Sequence, residues 1–313
     1  MSDEDKQSST DQSYADMFSE SLSKHLSSIE PFVIERRKAA IKSDGAYNVL
    51  LRASFSKCFE FNTVAARTLA DHCPSFFLAP TLRGICEDII VLRAWRDASS
   101  ADRNGLAFEL VAMRLTSNLA IQQKFFSANR PFQPILAPPK NSPEESQTIA
   151  KVQQLWSRVG FNLGGKKVAP TTRDLAERHG MLELYEYIYS ITSDMVHFNP
   201  NVLMRSGWGP EADAEMQFSP RNFEDYYRHF CTVYGAYLLL LYFNTFHDFI
   251  LPPPEVQEAV KMIQQDLDLL PRWPEIVTPE EMNRDAPDYR KAAFMATLFH
   301  ALKRSDNSTE SEE

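Results

Sequence analysis

The sequence predicts an all-α protein, a multi-helix bundle with peripheral helices and disordered termini. Three observations predict it. Apolar residues recur at helical spacing through most of the chain. Only 10 glycines occur in 313 residues, too few for the tight turns that sheets need. Prolines interrupt the periodic pattern at Pro74, through RPFQPILAPPKNSPEES, at Pro200 and in LPPPE.

Taken in order, residues 1–12 (MSDEDKQSSTDQ) read as a polar, disordered tail and residues 13–303 as one helical domain. Ala46 to Ala70 sets Leu50, Phe55, Phe59, Phe61, Val64, Ala65 and Leu69 near helical spacing, after a break at Asp44-Gly45 and before a stop at Pro74. A second helix is expected from Phe76 to Ala98, ended by Ser99-Ser100, and a third from Arg103 to Ser127. RPFQPILAPPKNSPEES holds five prolines and must be a surface loop or a covering flap. Ser142, Pro143, Glu144 and Glu145 then give an N-cap, a first-turn proline and early acids for a helix to Val159. GFNLGGKKVAP is a Gly/Lys loop without the spacing of a phosphate-cradling loop. Thr171 or Thr172 caps a short helix stopped by Gly180, and the next runs from Leu182 to His197, ahead of Pro200. Arg205 to Ser219 is a loop. Ser219-Pro220 starts a long apolar helix to Phe249, ended by LPPPE, and helices follow at Glu255–Leu269 and Asp285–Lys303, with Pro271, Trp273 and Pro274 between them. Residues 304–313 form a second disordered acidic tail.

The net charge of −9 is located mostly at the ends: −5 in the first twenty residues and −3 in the last ten. The body is therefore nearly neutral, without the broad positive field of a sequence-independent nucleic-acid binder. Cys58, Cys73, Cys86 and Cys231 show no metal-ligand spacing and read as reduced, buried thiols. No metal and no cofactor is implied. The most apolar run, Phe230 to Phe246, is interrupted by Thr232, Gly235, Asn244 and Thr245, so it reads as a buried bundle helix, not a membrane span. With no apolar leader either, the expected location is cytoplasmic.

Two constellations carry chemistry. Tyr189, Ser193 and His197 recur every four residues, so a helix stacks them on one face, with Asp194 within reach of the imidazole. Taken alone, that face is more often structural, with Ser193 bonded to its own backbone and His197 capping carbonyls. Arg83 and Glu87 stand four apart within TLRGICEDIIVLRAW and can satisfy each other as a pair. If the two helices pack together, the five residues form one polar cluster in an apolar bundle. The aromatic series Tyr226, Tyr227, Phe230, Tyr234, Tyr237, Tyr242 and Phe243 reads first as core. His229 and His247 lack acidic partners at ligand spacing.

Arg83-x3-Glu87, then TTRDLAERHG, then YSITSDMVH (Tyr189 to His197) ahead of a proline resembles the bacterial family catalogued as domain of unknown function 5677, over roughly residues 45–250. Through its bundle and lone motif histidine that family in turn looks like the HEPN superfamily, which implies a HEPN-like core. It also implies metal-independent cleavage of RNA, a homodimer or a partner protein from the same operon, and a role in antiphage defence or stress. On that reading His197 is the general acid or base, Arg83 stabilises charge on the phosphate, Glu87 orients Arg83, and Tyr189 or Ser193 positions the substrate. The HEPN pattern wants an Arg, four to six residues, then His on the same helix. Thr192, Ile191 and Ser190 stand there instead, so Arg83 must come from another helix. Arg173-x5-His179 fits the spacing but lies on the short capped helix. Two alternatives stand beside it, a non-enzymatic regulatory or scaffolding bundle and a small-molecule-binding bundle with the cluster as its polar floor.

Overall fold

A computed structural model describes residues 3–39, 41–67, 74–130, 143–163, 167–197, 199, 202–203 and 218–275. Among these residues the fold is helical and holds no strand. The helices are α1 (Asp3–Arg36), α2 (Ile41–Arg67), α3 (Ala79–Arg96), α4 (Ser100–Asn129), α5 (Pro143–Arg158), α6 (Thr172–Arg178), α7 (Leu182–Val196), α8 (Glu224–Thr245), α9 (His247–Ile250) and α10 (Pro254–Asp268). A 3-10 turn, Ser75–Phe77, leads into α3. The chain divides into two units, Met1–Arg272 and Trp273–Glu313, and every one of these helices belongs to the first. The Pro-rich loop, most of the Arg205–Ser219 loop, Cys73, the Asp285–Lys303 helix and the C-terminal tail lie outside the described residues.

The long apolar helix is the hub. α8 packs against α1, α2, α3 and α10, so Phe230, Cys231, Val233, Ala236, Leu238, Leu239 and Tyr242 are buried on all sides of it. Each large side chain withdrawn from water contributes roughly 1.5–3 kcal/mol. Most of the aromatic series is core: Tyr227, Phe230, Tyr234, Tyr242 and Phe243 are buried, while Tyr226 and Tyr237 are half-buried. Gly235 sets the distance to α2, because a Cβ there would stand 2.8 Å from Phe61 Cε1 and 2.9 Å from Asn62 Oδ1. The Tyr242 hydroxyl donates to the Leu51 carbonyl at 2.7 Å, closing the same contact with a buried hydrogen bond.

α1 lines Phe18, Leu22, Leu26, Ile29 and Val33 along one stripe against α2 and α10. α10 answers with Val256, Ala259, Ile263 and Leu267. Residues 3–12, read from sequence as part of a tail, are the first turns of α1. Gly45 breaks α2 with φ 74°, and the helix restarts under a cap from another element: Asn104 Oδ1 of α4 accepts from the Tyr47 amide at 3.0 Å. Trp95 of α3 and Trp156 of α5 meet at 6.2 Å between ring centroids.

The start of α8 departs from the sequence expectation. Ser219 caps a turn, accepting from the Arg221 amide through its hydroxyl and from the Asn222 amide through its carbonyl. The chain then passes through a left-handed Phe223 (φ 63°) before the helix begins at Glu224. Glu224 makes the reason plain: its carboxylate accepts from the Ser75 amide at 3.0 Å and from the Ser75 hydroxyl at 2.6 Å. That link ties the first turn of α8 to the entry of α3. No helix among the described residues is long and apolar enough to cross a membrane.

Candidate functional site

α3 and α7 carry the site and pack against each other. α3 buries Leu82, Ile85, Cys86, Ile89 and Ile90 in the bundle, which leaves Arg83 and Glu87 together on its flank. α7 buries Ile188, Ile191 and Thr192, and this spacing turns Tyr185 and Tyr189 toward that flank. Arg83 Nε donates to Glu87 Oε1 at 2.8 Å. The Arg83 guanidinium carbon lies 4.2 Å from the centroid of the Tyr189 ring, well inside cation–π range. The Tyr185 and Tyr189 rings stand 5.5 Å apart.

Electrostatics follow from this contact. The hydrogen bond to Glu87 raises the Arg83 pKa, helped by the charge of Glu87 against the opposing effect of burial. Burial raises the Tyr185 hydroxyl, and the nearby Glu87 charge adds to it. The Arg83 and Glu87 side chains are each 30% exposed, so the ion pair is worth at most about 1 kcal/mol. Its effect is orientation. With Nε committed to Glu87 and one face of the guanidinium on Tyr189, the Nη donors have no hydrogen-bond partner among the described residues.

Of the five residues singled out in the sequence, the structure brings Arg83, Glu87 and Tyr189 together. Ser193 sits one turn beyond Tyr189, half-buried, and its carbonyl accepts from the His197 amide at 2.9 Å. His197 is the residue after the last helical one, exposed and in extended geometry (φ −97°, ψ 161°). Eight residues at helical rise put it about 12 Å along α7 from Tyr189. Among the described residues, His197 shares no hydrogen bond or ion pair with Arg83, Glu87 or Asp194. Tyr185 is the residue that sequence reasoning missed. The same four-residue spacing, extended one turn toward the N-terminus from Tyr189, points to it.

Arg173 and His179 do not form a pair. Arg173 donates through Nε and Nη2 to Glu186 Oε1 on α7, at 3.0 and 2.6 Å, while His179 is the C-cap of α6. The Thr171 cap is as expected, and Asp174 completes a reciprocal capping box with it. His179 Nε2 is buried and has no hydrogen bond among the described residues, and burial lowers the imidazole pKa.

Among the described residues no three His, Cys, Asp or Glu side chains come together as a metal site. Cys58, Cys86 and Cys231 are buried thiols; burial pushes Cys86 up to about 12 and Cys58 and Cys231 higher still. A groove of about 320 Å³ lies between α8 and α10, floored by Leu240, Phe243 and Val260 and rimmed by His247 and Lys261. It includes none of the five residues.

Comparison with known proteins gives one family model, that of a family of unknown function (DUF5677), which matches residues 50–215. All five candidate residues fall within this stretch. No curated protein and no solved structure matches the chain.

Proposed function

The chain belongs to the family of unknown function (DUF5677), a membership that assigns no chemistry, and from the α3–α7 face we propose that it binds and cleaves RNA without a metal. The observation that carries this reading is the held Arg83. Its guanidinium is oriented by Glu87 and Tyr189 on a side chain 30% exposed, with both Nη nitrogens free of a hydrogen-bond partner among the described residues, a donor pair suited to two phosphate oxygens. Tyr189 thereby positions the cation, in place of the substrate-positioning part expected for it.

His197 supplies the proton chemistry. It removes the proton from a ribose 2′-hydroxyl, the 2′-oxygen attacks the adjacent phosphorus, the bond from phosphorus to the 5′-oxygen breaks, and a proton passes to that leaving oxygen. A cyclic phosphate and a 5′-hydroxyl result. Because His197 lies about two helical turns from Tyr189, Arg83 holds a neighbouring phosphate of the same strand, not the scissile one. Ser193 lies between the two positions.

The test is an RNA-cleavage and RNA-binding assay on the full chain. His197→Ala is expected to abolish cleavage and leave binding intact. Arg83→Gln is expected to weaken binding and reduce its salt slope by about 1. Identical cleavage by wild type and His197→Ala sinks the reading. A non-enzymatic regulatory or scaffolding bundle is the second reading, favoured by the way Arg83, Glu87 and Tyr189 satisfy one another within the chain. In that case Arg83→Gln shifts only the melting temperature.

A further inference from the structure

α4 presents an apolar face that nothing among the described residues covers. Its buried residues, Leu106, Ala107 and Glu109, all lie in its first third. Beyond them Val111, Leu115, Ile121 and Phe125 are each more than half exposed. Their spacing reads the same from either end. Measured from Asn118 they stand at −7, −3, +3 and +7. At 100° per residue they also fall at equal angles to either side of it, 20° for the outer pair and 60° for the inner pair. Asn118, itself exposed, is the centre of the stripe in both senses.

We infer that this face pairs with the same face of a second copy of the chain, antiparallel, about a two-fold axis at Asn118. A closed two-fold interface requires one patch to be complementary to itself, and a stripe symmetric about its own middle meets that requirement. In the pair, Val111 lies level with the partner's Phe125 and Leu115 level with the partner's Ile121, each filling the side that the other leaves open. Asn118 meets the partner's Asn118, whose amide can both donate and accept. Phe108, also more than half exposed, extends the stripe at its N-terminal end.

Charge selects the direction. Between Glu109 and Lys124 the only charged residue is Arg114. Arg114, four residues before Asn118, falls 40° from the centre and so lies within the stripe, as does Gln122 on the other side. A parallel pair sets the two Arg114 side chains at the same level, whereas the antiparallel pair sets each level with the partner's Gln122 and separates the two charges by eight residues, about 12 Å along the axis, and opposes the helix dipoles favourably. The area reaches the threshold. The five exposed apolar side chains leave on the order of 500 Å² uncovered per chain, so their full burial in both copies removes about 1,000 Å², the threshold of a specific interface. This inference is independent of the RNA reading.

Sedimentation of the full chain tests it, together with disulfide trapping. Wild type is expected at twice the mass of one 35.8 kDa chain and Leu115→Glu at the single-chain mass, with unchanged helical circular dichroism because residue 115 is exposed in the single chain. Asn118→Cys is expected to trap a covalent dimer under mild oxidation, and Gln123→Cys, off the stripe, is not. A wild-type chain that stays at single mass at high micromolar concentration overturns the inference. A dimer that survives Leu115→Glu, or that Asn118→Cys fails to trap, overturns it too.

Discussion

At the scale of single residues, two side chains tie local physics to measurable behaviour. The Tyr47 hydroxyl, buried in the bundle, donates to the Leu92 carbonyl at 3.0 Å, and burial pushes its pKa up to about 12. Tyr47→Phe is expected to cost about 1 kcal/mol, the net worth of one buried hydrogen bond, read from the midpoint of urea unfolding. His179 makes a pH-dependent contribution of known sign. Burial lowers its folded pKa below the ordinary 6.5, so as pH falls the unfolded chain takes up the proton first. Its contribution is unchanged above pH 6.5, declines as pH falls below that value, and levels off beneath the folded pKa. Melting temperature measured from pH 7.5 to 5 should therefore fall less steeply in His179→Gln than in wild type. An equal slope in the two proteins refutes the assignment.

At the scale of elements, Gly235 tolerates little change. Its Cα hydrogen faces Phe61 and Asn62 where α8 crosses α2. Gly235→Ala gains helix propensity but forces two packed helices apart. A net loss of about 1–3 kcal/mol is expected, with neutral or raised stability as the opposing result. The same scale shows what could be read from sequence. Helices α2 to α7 and α10 were legible because their apolar periods, caps and prolines agree with one another. Gly45, Thr171 and Pro143 stand at or beside the helix starts their chemistry announces. The start of α8 was not legible. Ser219-Pro220 carries the local signal for a helix start, but the carboxylate of Glu224 takes a bond to Ser75, 149 residues away in sequence, and Phe223 turns left-handed to deliver it. For the site, the four-residue spacings exposed Arg83 with Glu87 and Tyr189 with Ser193. Which rows face each other across α3 and α7 depends on packing, so the stacking of Arg83 on Tyr189 had no local signal. Nor did the exposed stripe of α4, because a surface face and a core face share one period.

At the scale of the molecule, the balance of charge shapes what the proposed activity can look like. Residues 21–303 are close to neutral, with the acids concentrated at the two ends. Long-range steering of a polyanion is therefore weak, and any RNA affinity must come from few, well-placed contacts such as Arg83. Binding should accordingly show a shallow salt dependence, with a slope corresponding to one or two phosphates, measured by titration between 50 and 200 mM salt. A slope of five or more would mean that a basic surface elsewhere dominates.

Trp95 and Trp156 give the chain a built-in optical gauge. Two indoles with centroids 6.2 Å apart are close enough for their transition dipoles to couple, which splits the aromatic circular dichroism into a paired band. One ring rides near the C-terminal end of α3, about 18 Å along that helix from Arg83, and the other on α5, which packs along α4, the helix that bears the symmetric stripe. Any rearrangement of α5 relative to α3, when RNA is added or when two copies separate, changes the coupling before any helix unwinds. The unlabelled protein thus reports on both proposals in one spectrum, at a wavelength where nucleotides can be subtracted.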